Sequence, residues 1–541
     1  MRVISEGNLT DTAAPTDVKP ADVSEKLSGQ TRLALAGLVI VAFSIGLDYV
    51  GVGILLVPIE RSFEIDDSSA QWVMNIYALT FAMLIVTGGR LCDMFGRKKM
   101  LIVGIVMFTV GAILNALAID LWWLLAFRVL QGMGASLMWP ACMGIFAVSV
   151  PAQRLGAFIG LLLTGCGLGN IVGPLVGGAF SGIAPWGWRL FFAFNALTAI
   201  VGLVIAIFTT QETPEDEKVK ARIDYSGFAA LTIGVFGILY AFDMVITSGW
   251  ASPSVFVSLI IAVIAFTAFP YIEKRVAQPL VRPAFWHNKL FVVAVLMNGL
   301  VVVAPFIMFV YVPVYTQVVY GYSFALSGLA LLPLMIFMAG LSPVAGMIYD
   351  KLGPRIVMFV AYTSALLGSV LVAVSAVGWG YWASLAPGLV LIGIAYGVAV
   401  GPAGTIALAA VDPEDSSLAG GLGFAFHLAL GAIAISIGTL ILSTTLTHVV
   451  QTDLDKAQIT VSESELRDLT GAAAGTARRD HALAEIPESD RGVVQDAIVS
   501  GTEQGFHTMF WVSAAFALVG LLLVTLLPRG KIETDAVASC P

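Results

Sequence analysis

Two opposite charges, Asp48 and Arg128, stand inside long apolar stretches of this sequence. A charged side chain at the centre of a membrane helix costs about 2.5–3.5 kcal/mol on insertion scales, so its presence needs a reason. Asp48 lies past the middle of the first apolar stretch, where a buried carboxylate could load and release a proton or contact a cationic substrate. Arginine keeps its proton at working pH, so Arg128 could hold the charge of Asp48 or organise a buried polar network. The alternative is that neighbouring helices satisfy both charges, which then have only a structural role.

Polar and aromatic side chains elsewhere in the apolar stretches are candidates for contact with a small molecule. They are Trp72, Asn75, Tyr77, Asn298, Tyr311, Tyr315, Gln317 and His427. His427 could titrate near neutral pH, although a lone histidine among apolar residues is more often a hydrogen bond between helices. A cleft with such groups suits bulky lipophilic or cationic molecules, for which shape and stacking matter more than a fixed hydrogen-bond pattern. The alternative is that these side chains pack helices together or face lipid.

The sequence carries no pattern typical of an enzyme. The nucleotide-binding loop G-x-x-x-x-G-K-[ST] is absent, so we expect no direct use of ATP. It has no metal-ligand spacing and no plausible Ser/His/Asp arrangement, so we expect no metal, no cofactor and no catalytic residue. A nucleic acid partner is not expected either. The remaining energy source is an ion gradient.

The composition indicates that membrane helices hold these residues. Of the 541 residues, 58% are hydrophobic and 12% are charged, whereas ordinary soluble domains have about 45–50% and about 25%. This excludes a large soluble globule and predicts an all-α polytopic membrane protein. The cysteines (Cys92, Cys142, Cys166 and Cys540) are scattered without metal spacing, and those in or beside apolar stretches are interpreted as small packing residues. Residues 1–32 form a polar tail without the features of a secretory signal.

Fourteen stretches are long and apolar enough to cross a bilayer, which takes about 20 residues in a helix. They are approximately residues 33–57, 71–90, 100–119, 121–148, 156–180, 189–209, 227–247, 253–272, 290–316, 325–347, 356–378, 383–409, 418–447 and 508–528. An even number of spans places both termini on one side. Basic residues such as Arg90, Arg97 and Lys98 concentrate in one set of loops, which predicts that these loops and both termini are cytoplasmic. We expect a multi-pass protein of the plasma membrane.

The last outward loop, residues 448–507, is unusually long. Ser462 and Glu465 have the spacing of a capping box, which marks the start of a helix. A second helical pattern, "SDRGVVQDAIVSG", follows a flexible stretch. The loop is therefore predicted to form a small external helical hairpin, with a disordered loop as the alternative.

A short motif occurs twice, at the cytoplasmic ends of spans 2 and 10. Its pattern, G-x-x-x-D-x-x-G-x-[RK], takes Gly89, Asp93, Gly96 and Lys98 in the first copy, and Gly346, Asp350, Gly353 and Arg355 in the second. Internal repeats in apolar chains are typical of transporters with a pseudo-two-fold axis. Removing spans 7 and 8 leaves six spans in each half. The predicted organisation is a cytoplasmic tail (1–32), a six-helix bundle (33–210), a linker with two additional membrane helices (211–289), a second bundle that includes loop 448–507 (290–528) and a cytoplasmic tail (529–541).

The repeated motif has the chemistry of a latch between helices. Its glycine lets a neighbouring helix approach, and its aspartate can meet the positive N-terminus of a facing helix. The basic residues, which include Arg97, can pair with the aspartate or with anionic lipid headgroups. Such a latch could hold one conformation and release in the other. The alternative is a simple turn with positive charges on the cytoplasmic side.

The fifth span, "GLLLTGCGLGNIVGPLVGG", combines seven glycines with one proline. Gly165, Gly169, Gly173 and Gly177 recur every four residues and form a smooth groove on a helix. Pro174 has no N–H, so the helix can bend there. We expect a hinged seal between this span and a helix of the other half; a plain packing ridge would explain the glycines alone.

The sequence resembles the major facilitator superfamily from about residue 33 to 528, and within it the fourteen-span drug:proton antiporter subfamily. The first copy of the repeat matches the superfamily's cytoplasmic loop motif, and "FRVLQGMGAS" around Arg128 matches its fourth-span motif. The antiporter motif of the fifth span matches at Gly160, Gly169, Gly173, Pro174, Gly177 and Gly178. "WGWRLFFAFN" resembles the start of the sixth span. The resemblance implies a role for Asp48 and Arg128 in proton coupling.

The function expected from the resemblance is export of small hydrophobic or cationic compounds, such as drugs, dyes and antibiotics, in exchange for protons. Three alternatives remain. The protein could export one endogenous lipid or secondary metabolite, it could take up a nutrient together with an ion, or it could be a membrane sensor that transports nothing.

Overall fold

Every predicted span lies on a helix in the computed structural model, which describes residues 28–65, 67–184, 186–209, 225–249, 252–276, 284–459, 461–470, 483 and 486–531. Within these residues the secondary structure is helical and contains no strand. Thirteen helices in the described part of the chain are long and apolar enough to cross a membrane. Spans 1 to 6 are Gly29–Leu55, Ser69–Phe95, Arg97–Ala116, Leu121–Ser149, Leu155–Ser181 and Trp188–Phe208. Spans 8 to 14 are Pro253–Glu273, Lys289–Tyr320, Leu326–Leu352, Pro354–Ala373, Ala386–Ala409, Pro413–Ala457 and Arg491–Leu526.

The predicted span 7 lies in the helix Tyr225–Ser248, which contains the shorter apolar stretch Ser226–Ile238. The tails predicted at 1–32 and 529–541 lie mostly outside the described residues, as does most of the connection between spans 6 and 7. The all-α polytopic fold is confirmed.

Helix pairing in the first half recurs in the second. Span 1 packs against span 5, span 2 against span 4, and span 3 against spans 4 and 6. In the second half, span 10 packs against span 12, and span 11 packs against spans 12 and 14. Adding eight to both span numbers of each of these pairs in the first half, 2 with 4, 3 with 4 and 3 with 6, gives a pair in the second half. This correspondence is expected for two six-helix bundles related by a pseudo-two-fold axis. Spans 7 and 8 pack together, and span 7 lies against spans 2 and 13.

Many apolar side chains cover the outside of the bundles. In span 8, Ile260 and Val263 are each more than half exposed in the absence of a membrane. A helix that is apolar on all sides and still exposes such residues has lipid as its partner on the outer face. The helices therefore bury polar groups inward and present apolar ones outward.

The motif glycines Gly96 and Gly353 form the turns that join span 2 to span 3 and span 10 to span 11. Their φ angles are 91° and 82°, a region that residues with a Cβ rarely adopt. Each glycine lets the chain reverse without a loop, which fixes the aspartate three residues earlier at the helix end. We call the end of the bundles that holds these two turns the latch end, and the opposite end the far end.

The prediction for loop 448–507 was partly wrong. Span 13 continues to Ala457, and the second helical pattern is the beginning of the long span 14 helix at Arg491 rather than a separate helix. The capping box is present, since the Ser462 N–H donates to Glu465 at 2.6 Å and the Glu465 N–H donates to the Ser462 hydroxyl at 3.2 Å. Hydrogen bonds from the Ser462 hydroxyl and from the Ser462 N–H to the carboxylate hold the pKa of Glu465 below its ordinary value. The capping box stands at the start of the helix Glu463–Thr470.

Spans 13 and 14 extend so far because their ends bury apolar stripes against each other. Leu446, Val450, Val494 and Ile498 form a small core there with Leu469. The spacing of four residues on each helix keeps this stripe on one face. The predicted spans 13 and 14 were too short because the outer faces of these turns are polar, so the turns did not look apolar in the sequence.

Candidate functional site

The candidate site begins with the ion pair between Asp48 of span 1 and Arg128 of span 4. Arg128 Nη1 donates to Asp48 Oδ2 at 2.5 Å, and both side chains are fully buried. Asp48 lies in the far half of span 1 and Arg128 in the far half of span 4, because these helices run in opposite directions. The two charges that the sequence singled out are therefore brought into direct contact.

Two amides complete the surroundings of the Asp48 carboxylate. Gln131 Nε2 and Asn195 Nδ2 each donate to Asp48 Oδ1 at 2.9 Å. The Oε1 of Gln131 in turn accepts from Arg128 Nη1 at 2.9 Å and from Asn115 Nδ2 at 2.8 Å. We call Asp48, Arg128, Gln131, Asn195 and Asn115 the Asp48 network. It ties spans 1, 3, 4 and 6 together within the first half, and all five residues are fully buried.

Arg128 is held from two further sides by span 2. Its Nε donates to the Val73 carbonyl at 2.8 Å, and its guanidinium lies 4.2 Å from the centre of the Tyr77 ring. Tyr77 was predicted as a substrate contact, but it is 1% exposed and packs on the arginine instead. Arg128 Nη2 and the Tyr77 hydroxyl have no hydrogen-bond partner among the described residues.

This arrangement stabilises a charged Asp48 in the fully buried interior of the first half. The carboxylate accepts three hydrogen bonds, and a full positive charge lies next to it, so its ionised form is compensated despite burial. Removing the proton acceptor or the cation alone would leave a buried uncompensated charge, which is strongly unfavourable. A change in the charge of Asp48 would therefore alter its contacts with Arg128, Gln131 and Asn195 together.

Sequence reasoning gave no role to Gln131, Asn195 or Asn115. Gln131 and Asn195 were part of quoted motifs, and Asn115 stands near the end of an apolar span. The available signal was the same as for Asp48, namely a polar side chain within an apolar helix. The sequence does not show the helix pairing that brings side chains of spans 4 and 6 to the Asp48 carboxylate and Asn115 of span 3 to Gln131.

The first latch joins Asp93 to the beginning of span 13. The backbone N–H groups of Ser417 and Leu418 donate to the two carboxylate oxygens of Asp93 at 3.2 and 2.8 Å. Arg97 donates to Asp93 at 3.1 Å and to the carbonyls of Pro413 and Glu414 at 2.5 and 3.3 Å. The carboxylate thus meets the positive end of a helix of the other half.

A further ion pair strengthens this latch, since Arg90 Nη1 lies 3.4 Å from Asp415 Oδ1. Arg97 also donates to the Gly144 carbonyl of span 4 at 3.3 Å. The side chains of Asp93 and Arg97 are 3% and 7% exposed, so water competes little for these bonds. Lys98, the next residue, is half-buried.

The second latch joins Asp350 to the beginning of span 5. The backbone N–H groups of Gly156 and Ala157 donate to its two carboxylate oxygens at 3.0 and 3.1 Å. This repeats the geometry of the first latch across the pseudo-two-fold axis. Pro354 stands where the first copy has Arg97, so this latch lacks the guanidinium, and Arg355 is half-buried.

The first glycine of each motif copy allows the facing helix to come this close. A Cβ at Gly89 would collide with the backbone of Ser417 and Leu418, and a Cβ at Gly346 would collide with the backbone of Gly156 and Ala157. In both motif copies the aspartate contacts the backbone of a helix of the other half. At the latch end the two halves are therefore in contact.

Neutralising Asp93 is expected to open the latch end more than neutralising Asp350. Asp93→Asn removes a charge-assisted contact from Arg97 and from a helix N-terminus, worth roughly tenfold in population. Asp350→Asn weakens the contacts with a helix N-terminus and removes the attraction of Lys531, but it breaks no hydrogen bond from an arginine within the described residues. The measurement is the rate at which a water-soluble maleimide labels Met143→Cys, on the inner side of the latch, in a protein with its native cysteines replaced. Asp412→Asn, an exposed carboxylate beside the latch, is the matched control. An unchanged rate in Asp93→Asn would contradict the latch role.

Span 5 has two glycine faces, and the prediction for one of them was wrong. Cβ atoms at Gly165, Gly169, Gly173 and Gly177 would meet Val39, Phe43, Leu47, Gly51 and Ile54 of span 1. This face therefore packs within the first half rather than against the other half. Among the described residues, a Cβ at Gly178 would have Ile54 near it, and the helix continues through Pro174.

The other half meets the opposite face of span 5. Cβ atoms at Gly156, Gly160 and Gly167 would meet span 10, at Gly346, Ser342 and Ala339 respectively. Gly160 and Gly169 are nine residues apart, and at about 100° per residue this leaves a net rotation of about half a turn. Of the motif glycines, Gly160 therefore faces span 10 of the other half, and the others face span 1.

The remaining predicted substrate contacts lie in different places. Asn298 is 6% exposed and His427 is 2% exposed, and both lie near the contact between the halves. His427 stacks on Phe424 with ring centres 5.1 Å apart, and its Nε2 lies 3.1 Å from the Tyr396 hydroxyl. Its packing therefore fits the alternative reading, a hydrogen bond between helices.

Tyr311 and Tyr315 lie inside the second half and do not face an open cleft in this structure. Tyr311 is 3% exposed and hydrogen-bonds to Ile435 and Thr439 of span 13. Tyr315 is fully buried and stacks on Phe506 at 4.2 Å. Their aromatic rings fill the core of the bundle, so their assignment as substrate contacts is corrected for this conformation.

Trp72, Asn75 and Gln317 are half-buried toward the far end. The Trp72 ring lies 6.2 Å from Tyr240 of span 7, so it contacts the inserted pair of helices. Gln317 donates to the Pro313 carbonyl of its own helix at 3.0 Å. The predicted contacts thus do not form one cluster.

Comparison with known proteins agrees with this architecture. The sequence pattern of the Major Facilitator Superfamily matches residues 38–436. The chain is 31% identical to the puromycin resistance protein pur8 of Streptomyces alboniger over 398 residues, which are 72% of this chain and 78% of that protein. It is 27% identical to the multidrug resistance protein Stp of Mycobacterium tuberculosis (strain CDC 1551 / Oshkosh) over 405 residues, 75% of this chain and 74% of that protein.

Among solved structures, the fold is similar to the major facilitator superfamily proton:xylose symporter XylE bound to 6-bromo-6-deoxy-D-glucose. The TM-score is 0.56 at 13% sequence identity, with 95% of this chain and 100% of that chain covered. The paired six-helix bundles, the apolar outer surface and the matched sequence pattern all lead to the same conclusion. The chain is an integral membrane protein that belongs to the major facilitator superfamily of transporters.

Proposed function

We propose that the protein exports small lipophilic or cationic compounds in exchange for protons by alternating access. The observation that carries this proposal is the fully buried Asp48 carboxylate, held by Arg128, Gln131 and Asn195. Three polar groups, two on span 4 and one on span 6, surround this one carboxylate of span 1. A carboxylate whose partners lie on separate helices can link its charge to the arrangement of those helices.

The proton acts by changing this network. Protonation removes the charge of Asp48, which weakens its ion pair with Arg128 and its hydrogen bonds from Gln131 and Asn195. Spans 1, 4 and 6 then lose a shared attachment point and can rearrange. Arg128 keeps its charge throughout, so Asp48 carries the proton and Arg128 sets how readily it does so.

The latch end faces the cytoplasm in this proposal, as the distribution of basic residues predicts. Both termini are then cytoplasmic, the protein lies in the plasma membrane, and the present structure is closed toward the cytoplasm. Breaking the contacts of Asp93 and Asp350 opens the cytoplasmic side for substrate. When these contacts form again, with Asp48 deprotonated, the cytoplasmic side closes and the bound substrate can leave only toward the outside. Lipid headgroups are available partners for the exposed basic residues at this end.

The cargo is proposed from the relatives and from the chemistry between the halves. Pur8 is described as a puromycin resistance protein and Stp as a multidrug resistance protein. The contact region between the halves is mostly apolar and aromatic, with Phe424 and Phe306 close to His427 and Trp139 next to Phe424. Such a surface binds by shape and stacking, which favours several unrelated lipophilic compounds over one.

The test is resistance of a host that lacks its own efflux transporters and carries this protein. We expect lower accumulation of several lipophilic cations, dyes and antibiotics, and loss of this effect when a protonophore collapses the proton gradient. Protection against one compound only would favour an exporter of a single metabolite. Increased accumulation would indicate uptake, and no change for any compound would contradict transport.

A further inference from the structure

The chain that follows span 14 packs against the turn of the second latch. Span 14 ends in a short 3₁₀ turn, Val524–Leu526, which packs against span 11. Leu527 comes next and is 2% exposed, so it anchors this end of the helix in the apolar core. Pro528 has no N–H and does not continue the helix. We call residues 527–531 the C-terminal strap.

The strap meets the second latch at two glycines. Gly530 has a φ angle of 100°, so the chain turns there in a conformation that residues with a Cβ rarely adopt. Its carbonyl lies against Gly353, where a Cβ would collide with it, and the Lys531 nitrogen lies beside the same position. The missing side chain of Gly353 therefore allows both the reversal between spans 10 and 11 and the close approach of the strap.

The strap carries the kind of charge that the second motif copy lacks. In the first latch Arg97 donates to Asp93 at 3.1 Å, whereas Pro354 at the equivalent position of the second copy has no charged group. The ammonium of Lys531 attracts the Asp350 carboxylate, which also accepts two N–H groups from the beginning of span 5. Each latch therefore combines an aspartate, the beginning of a helix of the other half and a cation.

We propose that Lys531 is a positioning residue of the second latch, where it has the role that Arg97 has in the first. Its charge holds the Asp350 carboxylate at the place where the N–H groups of span 5 reach it. It thereby favours the state that is closed at the latch end. This rests on the proposed alternating access and adds to it a contribution of the C-terminal strap to the closed state.

The two latches then differ in how their cation is held. Arg97 is 7% exposed and lies in the turn of its own motif, so it is a fixed part of the first latch. Lys531 is exposed and lies on a separate segment. Its effect is therefore smaller, is screened by salt, and depends on the strap staying in place against Gly353.

The experiment uses the maleimide reporter Met143→Cys in the full-length protein with its native cysteines replaced. We expect Lys531→Gln to raise the labelling rate about two- to threefold, the size typical of an exposed ion pair. Lys531→Arg keeps the charge and should label at the wild-type rate. Arg529→Gln removes an exposed charge from the same strap, and this matched control should change nothing.

Two further measurements show whether Lys531 acts through the charge of Asp350. When Asp350→Asn has already removed the carboxylate, adding Lys531→Gln should not change the labelling rate further. Salt at about 1 M should abolish the difference between the wild type and Lys531→Gln, because it screens an exposed pair. A purely structural role of the strap would give neither result.

Four results would overturn the role of Lys531. They are a wild-type labelling rate in Lys531→Gln, an equal increase in Arg529→Gln, a further increase when Lys531→Gln is added to Asp350→Asn, and a difference that persists at high salt. None of them touches the export function, which the accumulation test judges in the wild type. A failed accumulation test would in turn leave the labelling rates as they are.

Discussion

Arg128→Met is expected to lower the free energy of unfolding by about 3–5 kcal/mol and to abolish transport. The substitution keeps an apolar stem of similar length but leaves Asp48 buried without its cation. Gln131 and Asn195 still donate to the carboxylate, yet they carry no charge to compensate it. The measurement is thermal unfolding of the detergent-purified protein, together with dye efflux from cells at matched expression.

The control for Arg128→Met is the double variant with Asp48→Asn. Removing both charges leaves no unpaired ion in the interior, so most of the lost stability should return. Transport should not return, because no group is left to carry the proton. Wild-type stability in Arg128→Met alone would mean that the pair is not buried as described, and transport by the double variant would remove Asp48 from the mechanism.

Gly160→Leu and Gly173→Leu are both expected to abolish transport, but for different reasons. Gly160 lies against the backbone of Ser342 and Pro343 in span 10, so a leucine there holds the halves apart at the latch end. Gly173 lies against Leu47 and Gly51 of span 1, so a leucine there disrupts the first half itself. The first variant should stay stable and the second should lose several kcal/mol.

Two measurements separate these effects. Maleimide labelling of Met143→Cys should become fast in Gly160→Leu, since the latch end stays open. Thermal unfolding should shift only in Gly173→Leu, and Gly178→Ala is the control because its Cβ would have Ile54 as its only near neighbour, at 3.6 Å. If Gly160→Leu unfolded like Gly173→Leu, the two faces of span 5 would not have separate roles.

The sequence predicted the helices and the repeat well, because both depend on local patterns. Apolar stretches of about 20 residues mark each span, and Gly96 and Gly353 mark turns that need a positive φ. Asp48 and Arg128 could be singled out because each is a charge in an apolar helix. These features are readable without knowing which helices touch.

What could not be predicted depends on helix pairing. Nothing local shows that Asn195 of span 6 reaches Asp48 of span 1, or that Tyr77 lies on Arg128 rather than in a cleft. Gly169 and Gly160 look alike in the sequence, yet they face different halves. Tyr311 and Tyr315 have the composition of a binding surface, but the packing of spans 9, 13 and 14 encloses them in a core.

The central claim is that a proton on Asp48 drives exchange, and purified protein in liposomes tests it most directly. The vesicles contain a pH-sensitive dye and receive an outward or inward gradient of a transported lipophilic cation in the absence of ATP. We predict that the substrate gradient moves protons in the opposite direction in the wild type, and that Asp48→Asn, reconstituted at equal amount and checked for intact folding, moves none. Proton movement by Asp48→Asn equal to that of the wild type, or substrate transport by the wild type without any proton movement, would contradict it.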